Sequence, residues 1–457
     1  MGSDVTLNVG FDDTDSPAGM CTTYLAYVIA GSLRKEGAAE FLDYPRLVRF
    51  NPNVPWKTRG NGAVSMRVRT GDPGRVKNEI RRTVFERADV AHGANPGLVF
   101  WEGDDVPEPL AGFGRLALWQ LISRPDARRF ARDNGLEIHY MGNGQGLVGA
   151  IGATGYRWDD HTMELLSYRR AEMCGTRRVV SPASVKSMQD RTFPSTFNSY
   201  DERSGRVLIT PRGPDPVFYG IRGEDAASLV AASRMIRSDE SPLGYMIFRT
   251  NQGTGAHLRN ELTEESMRPF ASGWIRGAVT GSPIAERGGH VFFEVESGGR
   301  RRRQQQQRRR RVRCAVYKPT KMTGIARRLV AGDEVRVGGG VRKASKGHQR
   351  ALNAEYIEVI SLADDSYLAN PTCPACGKRM KSKGVGQGFE CVRCEDSRAA
   401  SKVEVKRNRA VRTGLYIPDA GAQRHLTRPV QRLERRNRAG APDHSLEWLH
   451  VYDNSGE

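Results

Sequence analysis

The sequence predicts an α+β multidomain protein, and three features carry that expectation. The chain opens as a strand running into a helix. Val5 to Val9 is a short apolar run that leads into Gly10-Phe11 and the acidic cluster Asp12-Asp13-Thr14-Asp15. From Cys21 to Glu36 the apolar residues Leu25, Val28, Ile29 and Leu33 then recur on one helical face. Five short strand-like runs between Trp274 and Ile360, spaced by Gly-rich turns, read as a small β-barrel such as an OB-fold. Two Cys-x-x-Cys pairs near the C-terminus read as a metal site.

Between these landmarks the pattern is mixed α and β as far as residue 260. Leu47 to Phe50 and Ala63 to Val68 read as strands, and Gly74 to Arg87 suits a helix. The Gly/Ala-rich stretch Gly146 to Ala153 would open another helix. Strand character runs from Thr162 into Ser167-Tyr-Arg169, and polar loops are expected from there to Arg206. Val217 to Ile221 and Gly244 to Thr250 read as strands flanking a helix from Asp225 to Ile236. The barrel runs are Trp274 to Thr280, His290 to Glu296, Val312 to Tyr317, Asp333 to Val337 and Ala354 to Ile360.

A chain of 457 residues calls for about three or four domains at roughly 150 residues each. Hydrophobic content of 38% and charged content of 27% suit a soluble globular protein. No run approaches the roughly 18 apolar residues of a membrane span, and no basic-then-apolar leader opens the chain. The expectation is a cytoplasmic protein with no membrane association and no obligate protein partner. The net charge is +19, and subtracting the eight arginines of Arg300 to Arg303 and Arg308 to Arg311 leaves +11. A basic surface of that extent favours a polyanion, because neutralised phosphates release counterions. The Arg/Gln tract has no apolar residue. It is expected to form a disordered hairpin tip between two barrel strands and to aid binding non-specifically.

Four of the seven cysteines form Cys373-x-x-Cys376 and Cys391-x-x-Cys394, 14 residues apart. Pro374 and Gly377 favour a tight knuckle, and four thiolates close a tetrahedron without an open position, so the zinc should be structural. Cys21, Cys174 and Cys314 are expected to be free thiols. Asp12, Asp13 and Asp15 place three carboxylates within four residues, which repel one another unless a cation joins them. Mg²⁺ is bound by one or two carboxylates together with substrate phosphates. Thr22 and Thr23 begin the following helix, where the N–H groups and the dipole favour a phosphate. On residue types alone the cluster reads equally as a turn with a helix cap.

Longer strings narrow the choice. Gly10-Phe-Asp-Asp-Thr-Asp-Ser16 with Gly19-Met-Cys-Thr-Thr-Tyr-Leu25 resembles the start of the archaeal agmatidine synthases, the 2-agmatinylcytidine synthetases of a minor isoleucine tRNA. The resemblance continues through Leu47-Val-Arg-Phe-Asn-Pro-Asn-Val-Pro-Trp-Lys-Thr-Arg-Gly-Asn-Gly-Ala63 and His92-Gly-Ala-Asn-Pro-Gly97. It reappears at Pro211-Arg-Gly-Pro-Asp-Pro-Val-Phe-Tyr-Gly-Ile-Arg-Gly-Glu224, Phe248-Arg-Thr-Asn-Gln-Gly-Thr254 with His257, the cysteine pairs and Arg424-His-Leu-Thr-Arg-Pro429. Two departures stand out: the Arg/Gln tract, which looks like an insertion, and Cys174-Gly175-Thr176, where the family usually has an aromatic residue before Gly-Thr.

The resemblance implies joining of agmatine to C2 of the wobble cytidine in a CAU anticodon, with ATP split to AMP and two phosphates. The α-phosphate activates the C2 oxygen, and a threonine, Thr22 by position, takes up the γ-phosphate. It implies a kinase-like α/β domain over 1–138, a ferredoxin-like domain on the agmatine side over 139–264, an OB-fold over 265–366 and a zinc ribbon with a basic tail over 367–457. In that frame Asp12, Asp13 and Asp15 bind Mg²⁺, while Lys57, Arg59, Gly60 and Asn61 contact ATP phosphates. Asp215, Tyr219, Glu224 and His257 are candidates for agmatine or the base, and Trp56 for stacking on a flipped base or for the core. Lys57 and Arg59 as a solvated loop, Phe218 or Tyr219 as core residues, and His257 as a satisfied polar group are the plainer alternatives. The Arg-rich run from Arg424 to Arg438 reads as a phosphate-binding stripe or a solvated helix. Two rival functions stay open on residues alone: a non-catalytic nucleic-acid-binding protein, and a transferase acting on a small molecule.

Overall fold

The computed structural model describes residues 4–58, 60–297, 310–346, 349–438 and 447–452. Arg59 and residues 298–309 of the expected hairpin tip lie outside them. The described end of the tract, Arg310 and Arg311, belongs to a barrel strand.

One continuous sheet spans the first 260 residues. Its order is Glu137–Tyr140, Gly97–Glu102, Val5–Asp12, Gly62–Thr70, Arg46–Arg49, Gly244–Thr250, Thr162–Tyr168, Val217–Gly223, Thr196–Phe197. The opening strand extends through Asp12 and pairs antiparallel with Gly62–Thr70 and Gly97–Glu102. Its alternate residues Leu7, Val9 and Phe11 pack under helices Thr22–Lys35 and Pro73–Arg87 through Leu25, Ile29, Leu33, Val76 and Ile80. The opposite face is covered by helices Glu108–Ala117, Arg124–Asp133 and Gly146–Gly155. Of these, Gly146–Gly155 packs against Val5–Asp12 and Glu108–Ala117, while Glu137–Tyr140 spans the expected boundary at 138/139. The stretch expected as polar loop to residue 206 contains a helix, Pro182–Thr192. Ser181 caps it through Ser184 N–H, and it buries Val185 and Met188.

The two halves meet in a short parallel pairing in which Arg46 faces Arg249 and Leu47 faces Thr250. Asn251 then continues the ladder with its side chain, accepting from Arg49 N–H at 2.8 Å and donating to Arg49 C=O at 2.9 Å. Asp43 is buried between two buried arginines, accepting from Arg46 Nε at 3.0 Å and pairing with Arg249 at 3.0 Å.

A second sheet closes on itself as a five-stranded barrel. The circuit runs Ser272–Val279, Val291–Ser297, Arg310–Val316, Ala351–Ser361, Glu334–Arg342 and back to Ser272–Val279. The five runs read from the sequence are these strands, with ends shifted by one to five residues and the last two strands longer by four residues each. The barrel docks on the first body through fully buried Asn51, which donates to Phe270 C=O at 2.8 Å and accepts from Ser272 Oγ at 2.9 Å.

The Sγ atoms of Cys373, Cys376, Cys391 and Cys394 all lie within 4.8 Å of one another. A tetrahedron of zinc–sulfur bonds of ~2.3 Å has edges that fit inside that limit, so the four thiolates fit a structural zinc. Gly377 N–H and Glu395 N–H fold back onto Cys373 C=O and Cys391 C=O, making the two knuckles.

Beyond the ribbon the chain returns. Gly414–Tyr416 pairs with barrel strand Ala351–Ser361, and Leu449–Val451 adds to Gly244–Thr250 of the central sheet. At Arg428 and Arg432 the structure corrects the expectation of a phosphate stripe or solvated helix. Arg432 is fully buried and bonds Asp160 at 3.0 Å, Glu224 at 2.7 Å and Gly253 C=O at 2.9 Å, and Arg428 joins Asp160 at 2.5 Å. No helix among the described residues is long and apolar enough to cross a membrane.

Two outcomes are expected. Asn251→Ala leaves Arg49 N–H and C=O unpaired in a buried joint and should cost about 2–3 kcal/mol in chemical unfolding; a loss under ~0.5 kcal/mol would show that the two strand pairs hold the halves unaided. Zinc should co-purify at one per chain, and Cys376→Ser should lose it and unfold the ribbon before the rest; an unchanged melting profile without zinc would exclude a structural metal.

Candidate active site

A cleft of about 570 Å³ opens between the two halves of the central sheet. Its acidic wall begins at Asp12, the last residue of the opening strand, and turns at Asp13, whose φ is +56°. Helix Gly146–Gly155 lies directly behind. A Cβ at Gly146 or Gly149 would overlap the Asp12 main chain or carboxylate, so glycine there lets the helix approach the strand end. Burial, and then the neighbouring Asp13, hold the Asp12 carboxyl well above the usual carboxylate range. Burial and Asp15 push Asp13 up to about 6. Asp15 is itself nearly buried and accepts from Thr58 Oγ1 at 3.0 Å.

Thr22 is the first residue of its helix and buried, with its Oγ1 3.0 Å from Thr14 Oγ1. Cys21, not a threonine, takes the N-cap position, and it makes no side-chain cap bond. Thr22 is thus free of the capping role that residue types alone allowed.

The loop from Asn51 to Gly62 forms a second wall. Trp56 stands at the mouth, 58% exposed, so it is not a core residue. Lys57 lies at the rim, where partial burial and Arg424 hold its ammonium below the usual lysine range. Gly60 runs so close to the floor that a Cβ would meet Arg49 at 2.6 Å and His425 at 2.8 Å. Asn61 shapes the loop: its side chain donates to Asn51 C=O at 2.8 Å and its carbonyl accepts from Phe50 N–H at 2.9 Å. Across the cleft runs the segment Leu208 to Asp215. Asp215 is buried, accepts from Val217 N–H at 3.0 Å and pairs with Arg178 at 3.3 Å. Arg178 also donates to the carbonyls of Pro211, Gly213, Asp215 and Val217, at 2.6–3.1 Å. One guanidinium therefore sets the course of the whole segment.

The floor holds residues that sequence reasoning did not single out. Glu164 accepts from Arg222 Nε at 3.2 Å, receives the Gln252 amide, and lies 4.0 Å from Arg49. His425 reaches in from the tail, with its Nδ1 2.9 Å from Arg222 and 2.8 Å from Gln252. Burial, Arg49 and Arg222 keep its imidazole neutral, with a pKa well below the usual value. Arg49, Arg222, Gln252 and His425 all belong to the unusual strings, but Glu164 and Arg178 carry no local signal. Only strand pairing brings Glu164 to this floor.

Asp12, Asp13, Asp15, Thr22, Lys57, Gly60, Asn61 and Asp215 therefore line one cleft. Three other candidates do not reach it. Tyr219 packs in the core beside Phe218, their ring centroids 5.2 Å apart. Glu224 is engaged with Arg432 at 2.7 Å and Asn437 at 2.8 Å. His257 is fully buried and pairs through Nε2 with Glu355 of the barrel at 2.9 Å, joining the two bodies.

Comparison with known proteins follows this architecture along the chain. Residues 8–85 match the model of the TiaS TCKD domain, 144–257 that of the TiaS FLD domain, and 370–411 that of the TiaS C-terminal zinc ribbon domain. The isoleucine-tRNA 2-agmatinylcytidine synthetase TiaS of Cenarchaeum symbiosum is 49% identical over 451 residues, covering 99% of this chain and 98% of the relative. That of Thermococcus sibiricus is 38% identical over 430 residues, covering 93% and 96%. The crystal structure of apo TiaS superposes with a TM-score of 0.82 at 34% identity, covering 96% of this chain and all of the other. The complex of TiaS with its isoleucine tRNA, AMPCPP and agmatine does so at 0.80 and 33% identity, covering 95% and 99%. With relatives of 38–49% identity matched over nearly their full length, this protein belongs to the TiaS family of isoleucine-tRNA 2-agmatinylcytidine synthetases.

Proposed function

We propose that this protein is an ATP-dependent ligase that makes 2-agmatinylcytidine at the wobble cytidine of the CAU-anticodon isoleucine tRNA. The observation that carries the reading is the single cleft, in a chain of this family, that unites an acidic strand end, an uncapped helix start, a Gly-rich loop and a carbonyl-rich segment. The solved relative in complex with its isoleucine tRNA, an ATP analogue and agmatine supports the same three ligands here.

The C2 oxygen of cytosine is a poor leaving group. Attack of that oxygen on the α-phosphorus of ATP, with the distal phosphates leaving, converts it into a good one. The agmatine amine then forms the C–N bond and loses a proton, and the C–O bond breaks with the oxygen departing in AMP. Thr22 lies where a hydroxyl can take up a phosphoryl group at a helix start. Lys57, Gly60 and Asn61, with Arg59 beside them in sequence, are assigned to ATP phosphates. The mutual strain of Asp12 and Asp13 fits a divalent cation. Mg²⁺ would neutralise phosphate charge, with Asp12, Asp13 and Asp15 as its holders. On the agmatine side, the segment set by Arg178 offers carbonyls to a guanidinium, and Asp215 adds a carboxylate. Trp56, at the mouth, suits stacking on an extruded base.

The domain names follow. A kinase-like domain runs from the first strand through Glu137–Tyr140, a ferredoxin-like domain follows to 264, an OB-fold covers 265–366, and the ribbon with its tail 367–457. The barrel circuit, in which the fifth strand sits between the third and fourth, supports the OB assignment. A cytoplasmic location suits a tRNA substrate.

The deciding assay supplies labelled ATP, Mg²⁺, agmatine and a CAU-anticodon transcript, each omitted in turn. AMP and modified tRNA should appear only with all four. AMP without tRNA would point to a small-molecule transferase, and binding without turnover to a non-catalytic protein. Thr22→Ala and Asp12→Asn should each lower turnover by on the order of 100-fold or more; wild-type rates in either would remove that residue from the site.

The acidic cluster also predicts a linkage to pH. Asp13 has a folded pKa of about 6, above its ordinary 3.8, so it favours the fold at low pH and this contribution is lost as pH rises through about 6. A divalent cation would offset the loss only where the carboxylates are ionised. Mg²⁺ should therefore raise the melting temperature at about pH 7.5 and hardly at all at about pH 5. Equal shifts at both would place the cation elsewhere.

A further inference from the structure

Behind the Lys57–Gly60 rim lies a second pocket of about 320 Å³, sharing Phe50, Lys57, Gly60, Arg222 and His425 with the main cleft. Its far wall is the tail segment Gln423 to Leu426, which the chain reaches only after leaving the zinc ribbon. Among its lining residues Lys57, Arg222 and Arg424 are cationic and none is acidic.

The carboxylates nearest to it are already engaged. Glu164 holds Arg222 at 3.2 Å, and Glu355 holds His257 at 2.9 Å and stands 3.4 Å from Arg424. Lys57 has no carboxylate partner among the described residues. His425, neutral between Arg49 and Arg222, adds a polar edge without charge. Phe50 supplies an apolar face. Convergent cations, no acid and a volume at the low end of ligand pockets describe a site for a phosphate that carries an organic group.

Two sources could supply that phosphate: the ATP tail or the RNA backbone. The triphosphate travels with a divalent cation, and the carboxylates for one are Asp12 and Asp13 on the main cleft's other wall. The second pocket has no such ligands. Building on the function proposed above, we propose that the second pocket binds an RNA backbone phosphodiester next to the cytidine in the main cleft, with Arg222 and Arg424 as its ligands and Lys57 left to the ATP phosphates at the shared rim. The tail would thereby couple seating of the RNA to the reaction cleft.

The test uses the full-length protein, a CAU-anticodon transcript and a salt series without ATP, with ATP binding measured separately. Arg424→Gln should weaken RNA binding about tenfold and lower the log–log salt slope by about one, with ATP affinity changed less than about twofold. Arg424→Lys should restore most of both. Arg424 also donates to Asn53 at 2.8 Å, so melting temperatures are recorded alongside. Gln423→Glu gives an independent arm: it keeps the acceptor that Asn198 uses at 2.8 Å, places a carboxylate in the pocket, and should weaken RNA binding as well. Unchanged RNA affinity and slope in both Arg424→Gln and Gln423→Glu overturn the proposal. So does a larger loss for ATP than for RNA, which assigns the pocket to the triphosphate. If the wild-type protein binds RNA with the expected slope changes in the variants but makes no product, the reaction reading fails and the pocket stands.

Discussion

The architecture depends on a short parallel pairing between Arg46–Arg49 and Gly244–Thr250. Two paired residues alone make a weak seam. Asn251 lengthens it by standing in for a strand residue, and Asp43 pins Arg46 and Arg249 from one side. A carboxylate buried between two arginines adds little net stability, because desolvating three charges offsets their attraction. It does penalise slippage, since a shifted register would leave charges buried and unpaired. With the seam in register, the end of Val5–Asp12 from one half and the Leu208–Asp215 segment from the other face a single space.

That space is electrically divided. Carboxylates crowd at the strand end, where burial and mutual repulsion oppose ionisation. Cations crowd on the floor and the rim, where burial lowers the pKa of Arg49 and Lys57. Each wall is uncomfortable alone and suited to the opposite charge. The glycines of helix Gly146–Gly155 make the arrangement possible by letting backbone pack on backbone behind Asp12.

The barrel and the returning tail are not loosely tethered appendages. Asn51 and His257 clamp the barrel to the first body, and the returning tail inserts Arg432 into its interior and His425 into its cleft. The barrel and the tail are therefore mechanically continuous with the cleft. Arg428 and Arg432 read in sequence like a basic stripe, yet they are buried because Asp160 and Glu224 wait for them across more than 200 residues of chain.

Local chemistry determined much by sequence alone. Apolar periodicity marked the opening strand and helix, short alternating runs marked all five barrel strands, and cysteine spacing marked the metal site. The crowded aspartates and Thr22 were legible because a strand end followed by a helix start has one geometry. Tertiary structure alone decided the partners of the long polar side chains. Glu164 and His425 became cleft residues and Arg178 the support of the cleft segment, while Tyr219, Glu224 and His257 became core and joint residues. The physical reason is range: backbone preference and period act over a few residues. A buried charge is placed by whichever opposite charge the folded chain brings within hydrogen-bonding distance, and that depends on strand order and on the path of the tail.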